Sequence, residues 1–283
     1  MSTPIPAGVH SDGAFPSPTA VGAEAAAGAQ AVVDGYTARA RFALAEAHHV
    51  HQPPVLAGLL AHAQHVLEIP CAGGHFLAAY ATAGVRVTLA DANPAMLAVA
   101  TIHAQEVGLA ADQVETVHCL LPEVPPVAGV DLVVVPNAAI NQLLVCCELT
   151  ALLAGLAAAA PGARLLLQVV TVAADGRPDR CGCYDPTRPD GCWEVDRSFD
   201  PGRAGGATAR WRHQRRRGNT LQIRFDYRDE DGDSLHTSTV TLHLLGRSNM
   251  LTDCTTAGLS DIEVHPDPGG PTQLVAALPE GRP

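Results

Sequence analysis

The chain has 283 residues, which is enough to bury a large core and fits one domain with an insertion or two small domains. Its net charge of −11, with 18 arginines and no lysine, argues against nucleic acid as a partner, because phosphate binding needs a basic surface. No apolar run reaches the roughly 20 residues of a membrane span, and no secretory signal is evident. We therefore expect a soluble, cytoplasmic protein with reduced cysteines and no membrane partner.

The N-terminal part of the chain divides into two segments. Residues 1–28 are rich in proline, alanine, glycine and serine, which predicts a disordered tail. Residues 29–65 have helical spacing of apolar side chains and are predicted to form a helical cap. His48, His49 and His51 cluster near its middle without a neighbouring acid or thiol, so we interpret them as a solvated helix end rather than a metal site.

The next stretch predicts the front half of a nucleotide-binding α/β unit. A buried strand ends near Glu68, the small residues Ala72, Gly73 and Gly74 form a tight turn into a helix, and a second strand ends at Asp91. Glycines let a ligand approach the backbone closely, and a carboxylate about 20 residues after the first strand is spaced to bind ribose hydroxyls.

The turn does not match the two commonest nucleotide fingerprints. The dinucleotide pattern G-x-G-x-x-G would need glycine where Pro70, Ala72 and His75 stand, which disfavours NAD and FAD. A phosphate-binding P-loop needs a lysine, and the chain has none.

The stretch instead resembles the acidic-x-G-x-G-x-G signature of class I S-adenosylmethionine-dependent methyltransferases. Glu68 stands for the acid, Pro70 and Ala72 replace the first two glycines, and Gly74 is the third. Residues 87–97 resemble the second motif of that family, and residues 131–137, 162–169, 258–264 and 273–278 resemble its later strands. The resemblance implies S-adenosylmethionine as cofactor, with its amino-acid tail recognised by Glu68 and its ribose by Asp91.

The same resemblance implies a larger cofactor-binding set along one sheet edge. Its members are Tyr36, Glu68, Pro70, Cys71, Ala72, Gly74, Asp91, Ala92, Met96, Leu120, Leu121 and Asn137. The family often has an aspartate after the third strand that binds adenine; Leu120 stands there, so backbone groups of Leu120 or Leu121 would substitute. Tyr36 is open to two interpretations, an aromatic side chain near the sulfonium or an ordinary core or surface tyrosine.

The spacing of apolar residues changes after the fifth predicted strand. Residues 66–170 and 246–283 form the predicted α/β core, whereas residues 171–245 alternate and include a hairpin between Leu221 and Leu245. This insertion is similar to the substrate lid of glycine N-methyltransferase-like enzymes for small molecules. The basic run from Arg210 to Arg217 is interpreted as a solvated edge strand, with a contact to an anionic substrate as the alternative.

The predicted fold is therefore α/β: a Rossmann-like seven-stranded methyltransferase sheet with helices on both faces, an N-terminal helical cap and an inserted antiparallel β lid. Four of the eight cysteines fall in apolar segments and are interpreted as core residues. Cys181, Cys183 and Cys192 could bind zinc with His213, but the usual paired spacing is missing, and no metal is predicted.

Two asparagines after the fourth strand are the predicted catalytic residues. Asn137 follows the apolar run, and Asn141 would share its face if a helix starts there. Amides can orient an acceptor but cannot take its proton at neutral pH, so positioning and exclusion of water are the expected catalytic devices.

The expected function is methyl transfer from S-adenosylmethionine to a small metabolite or natural product. Two alternatives stay open: attack on the aminocarboxypropyl chain of the same donor with release of methylthioadenosine, and a catalytically silent ligand-binding scaffold. The expected partner is a small-molecule substrate, and a homodimer is compatible with the sequence.

Overall fold

The computed structural model describes residues 30, 33–179 and 182–281, with only the backbone of Cys183. The predicted disordered tail, residues 1–28, lies outside the described residues. The strands in chain order are β1 His65–Glu68, β2 Arg86–Asp91, β3 Val114–His118, β4 Leu132–Val135, β5 Arg164–Val169, β6 Thr171–Val172, β7 Trp193–Ser198, β8 Ala209–Arg217, β9 Thr220–Arg228, β10 Ser234–His243, β11 Leu245–Gly246, β12 Ser260–His265 and β13 Thr272–Ala277.

Seven of these strands form one mixed sheet in the order β3-β2-β1-β4-β5-β13-β12. The first five are parallel, and β13 pairs antiparallel with both β5 and β12. The order reverses between β1 and β4, and open α/β sheets bind ligands beside the carboxyl ends of the strands at such a reversal. The predicted seven-stranded Rossmann-like sheet is confirmed.

Helices cover both faces of this sheet. They are α1 Ala40–Ala47, α2 Leu56–Leu60, α3 Leu77–Ala83, α4 Pro94–Glu106, α5 Ala139–Leu143, α6 Leu149–Ala159 and α7 Arg247–Thr256. Side chains of α6 and α7 pack on one face in a cluster with Leu67 and Val133, and those of α2, α3 and α4 pack on the other with Val66 and Val134. Strand β4 is buried along its whole length, as expected for a strand covered on both faces.

A second, antiparallel sheet is inserted between β5 and α7, in the order β10-β9-β8-β7. The predicted hairpin is present as β9 and β10. Strand β9 buries Leu221, Ile223, Phe225 and Tyr227 at every second position, which produces the alternation seen in the sequence. Tyr227 stacks on Phe42 of α1 with ring centroids 4.1 Å apart, so the inserted sheet β7–β10, called the lid from this point, packs directly on the N-terminal helix.

The interpretation of the basic run as a solvated edge strand is wrong. Strand β8 lies between β7 and β9, and the edges of the lid sheet are β7 and β10. Arg210 and Arg212 are each only 1% exposed. They occupy alternating positions that face inward, where Arg210 pairs with the Asp196 carboxylate and Arg212 donates to the Asp185 carbonyl.

No helix in the described ranges is long and apolar enough to cross a bilayer.

Candidate active site

A cavity with about 1100 Å³ of empty space, including its open mouth, lies at the carboxyl edge of the sheet. Its walls come from the turn after β1, the end of β2, the segments after β3 and β4, helix α1 and the lid. Ten of the residues predicted to bind a cofactor line it: Tyr36, Pro70, Ala72, Gly74, Asp91, Ala92, Met96, Leu120, Leu121 and Asn137.

Backbone conformation explains why the turn after β1 needs small residues. Ala72 and Gly74 have φ angles of 45° and 81°, in the left-handed region that disfavours side chains. The turn is closed by a hydrogen bond of 2.8 Å from the Gly74 N–H to the Cys71 carbonyl. A Cβ atom on Gly74 would lie 2.2 Å from Cδ1 of Leu77, so the third glycine of the motif also makes room for α3.

Gly74→Ala is therefore expected to destabilise the fold by about 1–3 kcal/mol, through left-handed strain and overpacking against Leu77. Urea unfolding measures this loss. Gly84→Ala is the matched control, because Gly84 also has a positive φ of 69° but a Cβ there meets no atom within 4 Å. Equal losses in the two variants would show that steric contact with α3 plays no part.

Asp91 organises the same turn. One carboxylate oxygen accepts a 2.8 Å hydrogen bond from the Ala72 N–H, and the other accepts one of 2.8 Å from the Asn93 N–H. Burial raises the pKa of Asp91 above its usual range, and the two amides oppose that shift. Each oxygen retains a lone pair, and the side chain lines the cavity, so the carboxylate can accept further hydrogen bonds from a ligand.

Glu68 does not reach the cavity, so the expectation that it recognises the amino-acid tail of a donor is wrong in that direct form. Its side chain is fully buried and accepts hydrogen bonds of 2.7 Å from the His75 N–H and the Tyr80 hydroxyl. The acid of the motif therefore holds the turn against β1 and α3. The imidazole of His75, 3.4 Å from Glu68, is the side chain that lines the cavity here.

The side chain of Cys71 lies away from the cavity. It is completely buried in the cluster beneath the turn, and burial raises the pKa of its thiol well above the usual range. Its backbone still contributes, since the Cys71 N–H donates to the Ala90 carbonyl at 2.8 Å and so ties the turn to β2. The thiol itself has no access to a ligand in the cavity.

The structure separates the two asparagines that were expected to line one reaction site. Asn137 lines the cavity, and its N–H donates to Oε1 of Gln168 at 2.7 Å. Asn141 is fully buried; its amide nitrogen donates to the carbonyls of Val170 and His243, and its oxygen accepts from the Val170 N–H. Asn141 thus joins α5 to the ends of β5 and β10, and its assignment as a catalytic residue is withdrawn.

The neighbouring residue of α5 reaches the cavity instead. Gln142 accepts a 2.7 Å hydrogen bond from the Tyr36 hydroxyl, and both side chains line the cavity wall. Burial is the main cause that raises the pKa of Tyr36. The guanidinium of Arg39 lies 5.3 Å from the centre of the Tyr36 ring, close enough for a cation–π interaction.

Sequence reasoning missed a buried charge cluster that forms the lid side of the cavity. Glu46 of α1 accepts hydrogen bonds from Arg39 at 3.0 Å and from the Tyr227 hydroxyl at 2.5 Å, and it pairs with Arg210 of β8. Arg210 pairs in turn with Asp196 of β7, at 2.8 Å through Nε. Burial raises the pKa of Glu46, but Arg39, Arg210 and the Tyr227 hydroxyl together lower it to about 2.

The histidine and cysteine clusters considered for metals do not form a site within the described ranges, where no group of three His, Cys, Asp or Glu side chains could hold an ion. His51 bonds to Asp267 at 3.1 Å, and His48 and His49 are exposed and contact aromatic rings. Cys181 and the side chain of Cys183, two of the four ligands of the zinc alternative, lie outside the described residues.

No protein-family model and no curated protein matches the chain. Solved structures do match its fold. DesVI from Streptomyces venezuelae is 20% identical with a TM-score of 0.57, and the match covers 88% of this chain and 98% of that one. CalS10, an S-adenosylmethionine-bound amino pentose methyltransferase from Micromonospora echinaspora, is 19% identical with a TM-score of 0.54, and the match covers 95% of this chain and 100% of that one. The sugar N-methyltransferase KedS8 from Streptoalloteichus sp. is 16% identical with a TM-score of 0.55, and the match covers 99% of this chain and 100% of that one. The chain has the fold of the class I S-adenosylmethionine-dependent methyltransferases.

Proposed function

We propose that the protein is an S-adenosylmethionine-dependent methyltransferase that acts on a small-molecule acceptor. The observation that carries the proposal is one cavity with two different walls. Asp91 and the turn from Ala72 to Gly74 line one wall at the carboxyl edge of the sheet, while α1 and the lid line the other. A nucleotide-bearing donor and a second molecule can meet between these walls.

The residues of the first wall fit S-adenosylmethionine. The Asp91 carboxylate suits the two ribose hydroxyls, and the small residues of the turn admit the donor's amino-acid tail beside His75. The apolar side chains of Met96 and Leu121 suit the two faces of a purine ring. When bound, the donor supplies a methyl group activated by a positively charged sulfur.

The chain itself contributes position and exclusion of water. A lid and a helix cover the cavity on the side away from the sheet, which removes water from a reacting pair and aligns it. Glu46 is poorly suited as a general base, since a pKa of about 2 keeps its carboxylate ionised and weakly basic. We assign no base, and the acceptor would lose its proton to solvent or bind already deprotonated.

The cavity and the similar folds support an acceptor with an amine or a hydroxyl group. An amine or hydroxyl of a small natural product fits a space walled by arginines, tyrosines and amides. Two of the similar structures are named as an amino pentose methyltransferase and a sugar N-methyltransferase, so amino sugars are the first acceptors to test.

Product analysis tests the proposal against the other reactions of the same donor. We expect S-adenosylhomocysteine and an acceptor heavier by one methylene unit when the protein is incubated with S-adenosylmethionine and a panel of amino sugars. Methylthioadenosine would indicate attack on the aminocarboxypropyl chain. An intact donor, together with no binding of it, would indicate a scaffold protein.

Asn137 is proposed to orient the acceptor, and Asn137→Gly is expected to lower turnover about tenfold while donor affinity stays unchanged. Glycine is chosen because Asn137 has a φ of 51°, which glycine adopts without strain. Ala138→Gly is the matched control, since Ala138 has a φ of 56° but does not line the cavity. Full turnover in the Asn137→Gly variant would remove this residue from the reaction site.

A further inference from the structure

The lid side of the cavity carries more positive than negative charge. Three arginines line it, Arg39 of the segment before α1, Arg197 of β7 and Arg210 of β8. Among the described residues, two carboxylates form ion pairs with them, Glu46 and Asp196. The excess is one positive charge in a partly water-excluded space, where an unpaired charge attracts an anion strongly.

Glu46 has no capacity left to bind an acceptor. One oxygen accepts from Arg39, Arg210 and Tyr227, and the other accepts twice from Arg39. A carboxylate offers about four lone-pair sites, so these five hydrogen bonds from four donor atoms occupy it fully. A cationic amine therefore gains nothing at Glu46, and the carboxylate acts as an internal partner of the two arginines.

Arg210 is equally committed to the protein. Its Nε and Nη2 atoms donate to Asp196, and its Nη1 atom donates to Glu46. Arg210 is only 1% exposed, and its guanidinium lies between these two carboxylates. Arg210 thus fixes the wall and does not supply the excess charge.

Arg197 is the arginine of this wall that forms no ion pair with a described carboxylate. Its side chain makes one hydrogen bond within the described ranges, of 3.2 Å from Nη1 to the backbone carbonyl of Glu46. No acidic oxygen of a described residue lies within 4.0 Å of it. The charge of Arg197 acts on its neighbours. Together with burial and Arg210 it lowers the pKa of His49, and it adds to the lowering of the Glu46 pKa by Arg39 and Arg210.

We propose that Arg197, supported by Arg39, binds an anionic group of the acceptor, a carboxylate or a phosphate. Arg197 lines the cavity, and a guanidinium suits either oxyanion, because both accept two parallel N–H bonds. The acceptor class is then a small molecule with a nucleophilic nitrogen or oxygen and a separate anionic group. That the anionic group belongs to a methyl acceptor rests on the proposed function. The anion site itself does not depend on that function.

Melting temperature measures the site without knowledge of the acceptor. Protein loaded with S-adenosylmethionine is titrated with inorganic phosphate and, separately, with sodium acetate, against sodium chloride at equal ionic strength. We expect phosphate, acetate or both to stabilise the protein beyond chloride. A response to phosphate alone indicates a phosphorylated acceptor, and a response to acetate alone indicates a carboxylic acid.

Arg197→Gln is expected to raise the half-saturating concentration of the effective anion at least tenfold, and Arg197→Lys to retain most of the effect. Arg224→Gln is the matched control, because Arg224 is exposed on β9, does not line the cavity, and has its guanidinium 5.7 Å from the centre of the Trp193 ring. An anion response equal in Arg197→Gln and the parent, or a parent that responds to neither anion beyond chloride, overturns the proposal.

The donor is tested separately in the same samples. S-adenosylmethionine alone should raise the melting temperature of the parent and of Arg197→Gln equally. If S-adenosylmethionine does not raise the melting temperature of the parent but the anion still does, the proposed function is overturned and the anion site is retained.

Discussion

Replacing Asp91 with alanine is expected to weaken S-adenosylmethionine binding by about one to two orders of magnitude. A charge-assisted hydrogen bond to a ribose hydroxyl contributes roughly 1.5–3 kcal/mol, which corresponds to that range of affinity. The variant also leaves the amides of Ala72 and Asn93 without their acceptor, so the turn that faces the donor loses its support. Equilibrium dialysis with radiolabelled donor measures the change.

Two further variants separate binding from support of the turn. Asp91→Asn keeps one carbonyl oxygen and removes the charge, so it should lose less affinity than the alanine variant. Asp112→Ala removes an exposed carboxylate from the same α/β core and should bind the donor as the parent does. Unchanged donor affinity in Asp91→Ala would refute the assignment of Asp91 to the ribose.

Glu46→Gln is expected to lower the free energy of unfolding by about 3–5 kcal/mol. The substitution leaves Arg39 and Arg210 buried without their shared carboxylate, and removing one partner of a buried ion pair has a cost of this size. Urea unfolding at neutral pH measures it. Glu194→Gln breaks the partly exposed pair with Arg188 and should cost less than about 1 kcal/mol. Equal losses in the two variants would show that the buried cluster contributes no more than a surface pair.

The same carboxylate predicts how stability depends on pH. The pKa of Glu46 falls from 4.5 to about 2 on folding, so its contribution is fully present above pH 4.5 and is lost as the pH falls through 2. A shift of this size corresponds to about 3 kcal/mol. The difference in unfolding free energy between the parent and Glu46→Gln should therefore shrink between pH 4.5 and pH 2. A constant difference across that range would contradict the assigned pKa.

The sequence predicted those parts of the cavity wall around Asp91 whose structure is determined by residues close together in the chain. The turn after β1, the strand that ends at Asp91 and the proline that begins α4 are encoded within about 30 consecutive residues, and local pattern determines each of them. The function of Glu68 was misjudged because the sequence places it at the end of β1 without showing where its carboxylate points. In the structure it points to Tyr80 and the His75 amide.

The lid side of the cavity could not be predicted, because its partners are far apart in the chain. Glu46 and Arg210 are separated by 164 positions, and charge complementarity over such a distance leaves no local pattern. The basic run was consequently interpreted as solvated. One signal was available: Arg210 and Arg212 alternate with Trp211 and His213, which is the period of a strand with one buried face.

The error at Asn141 has a conformational cause. The prediction assumed that one helix contains both Asn137 and Asn141, so that a spacing of four places them on one face. Asn137 and Ala138 instead adopt the left-handed conformation, and α5 begins only at Ala139. A spacing of four therefore does not place Asn137 and Asn141 on the same side, and Gln142 lines the cavity in place of Asn141.

Calorimetric titration of the parent protein with S-adenosylmethionine tests the central claim most directly, since it needs no acceptor. The account predicts one donor molecule bound per chain, binding of S-adenosylhomocysteine at the same site, and no binding of NAD. Absence of heat with S-adenosylmethionine, confirmed by dialysis, or equally tight binding of NAD would contradict it.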